Sequence, residues 1–167
     1  MGAGLLIARL VFGSLFAAHG GQKLFGWFGG YGLAAVGGMF ESLGFRPGRF
    51  FATAAGLSEF GGGLLLALGL LGPGGPALIL SVMIVAAVSV HWQNGLFATT
   101  NGIEVPLLYG TAATALAFTG PGRYSFDAMF GLTPLWIPEV TAIALGAGIA
   151  AAIVNLAARQ TRVATAA

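Results

Sequence analysis

The sequence has no cysteine in its 167 residues. Disulfides, thiolate metal ligands and thiol redox chemistry are therefore excluded from anything the chain does by itself. Charge is nearly as scarce. Seven Lys and Arg and five Asp and Glu make up 7% of the chain, against about 25% in a soluble globular domain. A body this small has too much surface to leave so bare in water. That excludes an ordinary soluble enzyme, a nucleic-acid-binding protein and a disordered tail. The net charge of +2 is too small to select an acidic partner. What is abundant is apolar: 57% of residues are hydrophobic and 29 are glycine. The remaining class is an all-α membrane protein whose partner is the lipid bilayer.

A membrane helix takes about 20 mostly apolar residues. The sequence predicts an antiparallel four-helix transmembrane bundle with spans over 3–22, 50–71, 76–92 and 103–119. A fifth, C-terminal transmembrane helix is predicted over 136–158. Nothing basic precedes the first run and no small-x-small pattern follows it, so it reads as a retained span. Residues 24–49 are predicted to be interfacial. Phe25, Trp27, Phe28 and Tyr31 form a belt composition there. Residues 33–43 suit a short surface helix with Glu41 on its wet side and Gly44 as its cap. The chain divides into a four-helix membrane domain, 1–128, and an additional helix with a short basic tail, 129–167. In the fifth helix, Ala142, Gly146 and Ala150 make a small-residue stripe suited to another helix of this chain or of a second copy, a homo-oligomer.

With five spans, Lys23, Arg46, Arg49, Arg159 and Arg162 fall on one side and Arg123 alone on the other. The excess of positive charge on cytoplasmic loops then places the N-terminus outside the cell membrane and the C-terminus in the cytoplasm.

Ionisable groups inside a span are expensive, so each is a functional candidate. Arg9, His19 and Lys23 share one face of the first span at 100° per residue. Gly13, Ala17 and Gly21 form a neighbouring stripe that permits close helix contact. Glu59 lies about 13 Å into the second span. His91 ends the third span and Glu104 begins the fourth. Arg9 is nearest the outer loop holding Arg123, Tyr124 and Asp127, and its long side chain is expected to pair with Glu59. Plainer readings stand beside these. Glu104 follows Asn101 at capping-box spacing. Lys23 suits snorkelling to headgroups. Arg123 and Asp127, four apart, suit a loop salt bridge. Glu139 suits the dipole of its helix. His19 and His91 suit packing as well as binding.

Several runs carry a resemblance. They are Arg9 in the first span, His19-Gly20-Gly21-Gln22-Lys23-Leu24-Phe25-Gly26, and Glu59 followed by Gly61-Gly62-Gly63 and Gly69. His91, Asn101-Gly102-Ile103-Glu104-Val105-Pro106 and Gly120-Pro121-Gly122-Arg123-Tyr124-Ser125-Phe126-Asp127 complete the set. In their order and spacing, over about residues 4–128, the chain resembles the DoxX family. The resemblance implies a four-helix membrane bundle. It also implies a link to quinone-dependent thiosulfate oxidation or to membrane oxidoreductase complexes. The fifth helix exceeds that core and inherits no role, and no cysteine-based mechanism carries over.

Three function classes remain open. The first is a membrane redox subunit that binds a quinone or docks a soluble or membrane oxidoreductase. His19, Lys23 and His91 would supply donors, with Glu59 and Glu104 relaying protons. The second is a small-solute or proton transporter or channel. The third is a non-catalytic anchor or assembly factor whose polar cluster fixes helix register. No metal site and no covalent cofactor is expected. A bis-imidazole haem between His19 and His91 rests on two histidines alone.

Overall fold

The computed structural model describes residues 2–160. Arg162 and the rest of the predicted basic tail lie outside the described residues. The helices are α1 (Gly2–Phe25), α2 (Gly32–Ser42), α3 (Gly48–Leu68), α4 (Gly74–Asn94), α5 (Glu104–Thr119), α6 (Phe126–Met129) and α7 (Pro138–Ala157). There is no strand among the described residues. Four of the helices, α1, α3, α4 and α7, are long and apolar enough to cross a membrane. The fourth predicted span, α5, has 16 residues, about 24 Å of helix. Its two ends nevertheless meet opposite ends of the bundle. Glu104 starts it beside the loop bonded to His91, and Pro121 just beyond it meets Arg9. The protein is a multi-pass membrane protein in contact with lipid, as the outward-facing Ile7, Leu57, Leu108, Ile143 and Val154 require.

Inside a bilayer, helix association rests on close van der Waals contact more than on expulsion of water. The α1–α3 pair meets that demand with glycine. A Cβ on Gly13 would stand 2.6 Å from the Gly63 carbonyl, and one on Gly20 would stand 2.7 Å from the Gly56 carbonyl. The stripe that faces α3 is thus Gly13, Ala17 and Gly20. Gly21, predicted to belong to it, lies under the ring of Trp27 instead. Phe16 of α1, Leu66 of α3, Ile79 and Met83 of α4 and Ala113 and Leu116 of α5 form the core.

The spans are joined tightly at one end. Gly69, at φ +62°, stops α3, and the Leu70 N–H returns to the Leu65 carbonyl at 3.0 Å. Four residues later α4 begins, with Pro76 in its first turn. At the opposite end, α2 and the exposed aromatics Trp27, Phe28 and Tyr31 that precede it make the expected interfacial segment. Gly37 of α2 sits on Gly48, the first residue of α3.

The fifth span packs outside the bundle against α4, as expected, but through a different face. Thr141, Leu145, Gly148 and Ala152 are its buried residues. A Cβ on Gly148 would stand 2.5 Å from the Ala77 carbonyl. The Ala142, Gly146 and Ala150 stripe points away from the chain. Leu135, ahead of α7, touches Gly72 ahead of α4, while Gln160 reaches Gly44 at the other end. The two helices therefore run parallel.

Candidate functional site

The ionisable residues sort to the two ends of the bundle. At one end lie Arg9 and the 120–137 segment, at the other Lys23, Glu59, His91, Glu104 and α2.

At the first end, Arg9 is 1% exposed. Its Nη1 donates to the Pro121 carbonyl and its Nη2 to the Tyr124 carbonyl, while Nε has no partner. Gly69 makes room for the guanidinium, because a side chain at 69 would overlap it. Asp127 is fully buried and accepts three hydrogen bonds. They come from Leu71 N at 3.0 Å, Gly72 N at 2.7 Å and Trp136 Nε1 at 2.7 Å. Arg123 does not pair with Asp127; its guanidinium lies over the Tyr124 ring at 4.6 Å. The expected Arg123–Asp127 bridge is absent because the carboxylate turns inward to backbone N–H groups that end α3. This end is a structural joint.

At the second end, Lys23 Nζ forms an ion pair with Glu59, whose two carboxylate oxygens both accept. The Glu59 side chain is 2% exposed and that of Lys23 is 26% exposed. The predicted Arg9–Glu59 pair does not form. Lys23 is three to four turns further along α1 than Arg9, level with Glu59, and Arg9 points to the opposite end.

Beside that pair is a cavity of about 200 Å³. Its apolar walls include Phe45, Phe51, Val82 and Val85. Its polar lining is Lys23, Glu59, Ser58, Ser81, Ser89, His91 and Asn155. Met39, Phe40 and Leu43, from α2 and the turn after it, close one side. The last turns of α4 shape the other. Residues Ala87–His91 form a π-helical turn, which inserts a residue into the helical register. The turn places Ser89, Val90 and His91 in the lining. Ser89 bonds back to the Val85 carbonyl at 2.5 Å, and His91 Nδ1 lies 2.8 Å from the Asn101 carbonyl.

Two predicted members are elsewhere. His19 is exposed on the outer face of α1, edge-on to the Tyr109 ring at 5.9 Å between centroids, and does not line the cavity that His91 lines. Glu104 accepts from Ala98 N at 2.7 Å. It holds the 95–103 loop, and Asn101 does not cap it as a capping box requires: Ile103 is the cap residue. The cavity residues that sequence reasoning missed are the three serines and Asn155. One serine in α3 and two in α4, in largely apolar helices, were the available signal. Among the described residues no three metal-binding side chains come together.

An apolar cavity of about 150 Å³ accepts a benzene ring. This one can hold a single substituted ring with hydrogen-bonding groups at its edge. Such a ligand would meet an ammonium, a carboxylate, an imidazole and hydroxyls together with aromatic and branched side chains.

Among known proteins, the family model DoxX matches residues 4–92, a little over half of the chain. The match ends in α4, so the 101–106 and 120–127 runs that also carried the resemblance lie beyond it. No curated protein and no solved structure matches.

Proposed function

The chain belongs to the DoxX family, and on that premise we propose that it is the membrane subunit of a quinone-linked redox system, holding the quinone ring in the cavity beside Lys23 and Glu59. The observation that carries this reading is the union of a ring-sized apolar cavity with a buried ion pair inside a membrane bundle. A quinone requires an apolar slot for its ring and donors at its carbonyls. Lys23 and His91 supply donors, and the serine hydroxyls supplement them. Reduction adds two electrons and two protons to give the quinol. The electrons come from a docked oxidoreductase, and the protons reach the ring through the Lys23–Glu59 pair from the adjacent aqueous face.

The basic residues favour the cytoplasm for that face: Lys23, Arg46, Arg49 and Arg159 lie at this end and Arg123 at the other. The anchor reading retains one supporting observation, the Arg9 and Asp127 joint, where polar groups serve to fix the fold.

The test is binding of a short-tailed quinone to the purified chain in lipid nanodiscs. Lys23→Ala and His91→Ala should each weaken binding about tenfold, the effect of a lost charge-assisted or well-placed hydrogen bond. His19→Ala should not. No binding by the parent, or equal binding by all three variants, rejects the site and leaves the anchor as the better reading.

A further inference from the structure

Every residue lining the cavity falls within the family-matched 4–92 except one, Asn155 of α7. The end of α7 also reaches across to the segment that closes the cavity. Arg159 Nε donates to the Leu43 carbonyl, and Gln160 N donates to the Gly44 carbonyl at 2.8 Å. Leu43 is itself part of the lining. The joint is closely fitted. Gly44 has φ +94°, and a Cβ there would stand 2.6 Å from the Gln160 carbonyl oxygen. Only glycine accepts both the left-handed backbone and the approach.

Helix α2 is also attached to α1 and, more extensively, to α3. Gly37 packs on Gly48, and Glu41 accepts from Gly48 N at 3.2 Å. The helix itself is short and carries exposed Ala34, Ala35 and Gly38. It is therefore held over the cavity by α1 and α3 along its length and by the end of α7 at its C-terminal turn.

We infer that α7 completes the ligand site, with Arg159 as a positioning residue that keeps α2 closed over the cavity. This rests on the reading of the cavity as the ligand site, and it concerns a segment beyond the family match. Arg159 touches no ligand; it acts through Leu43. Loss of its hydrogen bond frees the turn after α2 and raises the population in which the cavity is open.

The chain has no cysteine, which allows a direct measurement. Ser89→Cys places the single thiol in the cavity, at a position now 5% exposed. Its rate of reaction with a small methanethiosulfonate reagent, in nanodiscs, reports opening without any quinone. Adding Arg159→Ala should raise that rate about tenfold, the equivalent of one charge-assisted hydrogen bond. Arg159→Lys, which keeps a cationic donor, should bring it most of the way back. Ser125→Cys, 7% exposed at the opposite end of the bundle, serves as the control and should react at one rate in all backgrounds. An unchanged Ser89→Cys rate overturns the inference, and so does an equal rise at both thiols, which would mean general loosening. A second arm measures quinone dissociation, which Arg159→Ala should speed about tenfold. If the parent binds no quinone the proposed function fails, while the thiol rates still decide whether α7 holds the cavity shut. If quinone binds and the thiol rates do not move, the function stands and this inference fails.

Discussion

Trp136 donates its indole N–H to the Asp127 carboxylate at 2.7 Å, tying the stretch before α7 to the turn after α5. The same carboxylate takes the N–H groups of Leu71 and Gly72, left free where α3 ends. One side chain thus joins three segments of the chain at a single buried point. Asp127→Ala should cost about 3–5 kcal/mol of stability, as removal of a buried, fully bonded charge does. Trp136→Phe should cost about 1–3 kcal/mol, since it leaves one acceptor short of a donor. Thermal unfolding of the purified variants measures both, and a smaller loss for Asp127→Ala than for Trp136→Phe contradicts the arrangement.

The ion pair of Lys23 and Glu59 makes a prediction by pairs of substitutions. Lys23→Met leaves a buried carboxylate without its partner and should lower stability by about 3–5 kcal/mol. Adding Glu59→Leu should recover much of that loss. Arg9→Ala combined with Glu59→Ala should instead be additive to within about 0.5 kcal/mol, because the two residues share no partner. Coupling between Arg9 and Glu59 would mean that the pairing described here is wrong.

Two neighbouring glycines should respond to the same methyl with opposite sign. A Cβ on Gly63 would stand 2.5 Å from the Gly13 carbonyl oxygen, whereas one on Gly61 meets nothing within 4 Å. Gly63→Ala should therefore destabilise by about 1–3 kcal/mol through overpacking. Gly61→Ala should be neutral or stabilise by up to about 1 kcal/mol, because alanine favours the helix. Unfolding midpoints in matched detergent distinguish the outcomes, and stabilisation by Gly63→Ala would overturn the close α1–α3 contact.

Sidedness is checked with single thiols on an otherwise cysteine-free chain. Arg46→Cys should react with a membrane-impermeant reagent only from the cytoplasmic side, and Arg123→Cys only from the other. Labelling of both from one side would remove the five-span topology.

The spans were legible in the sequence because length and apolarity are properties of a run of residues. Their ends came within about three positions of the observed ones, and Pro76 and Gly44 marked local boundaries correctly. The pairings were less legible. A helical wheel places Arg9, His19 and Lys23 on one broad face but not the rotation of α1 against α3. That rotation is set by which glycines interlock, and it is Gly20 rather than Gly21 that does so. It sends His19 outward to Tyr109 and Lys23 inward to Glu59. The same applies to α7, where Gly148 against Ala77 turns Asn155 to the cavity and the Ala142 stripe away. Asp127 was misread because four-residue spacing to Arg123 favours a bridge only on a helix, and Arg123 lies ahead of α6. The extra residue in α4 left no pattern in an evenly apolar stretch.

That extra residue has a consequence for how the sequence tolerates length changes. Most helices punish a one-residue deletion by rotating everything downstream through about 100° away from its partners. In α4 the wide turn over Ala87–His91 already contains such an offset. Deleting Val88, which faces outward, would return the backbone to regular α-helix and leave its hydrogen bonding intact. The offset is absorbed within that turn, so His91 and the 95–103 loop would keep their orientation. A chain shortened at this position would keep both its membrane fold and the imidazole in the cavity wall, so α4 carries at this turn one codon that it can lose.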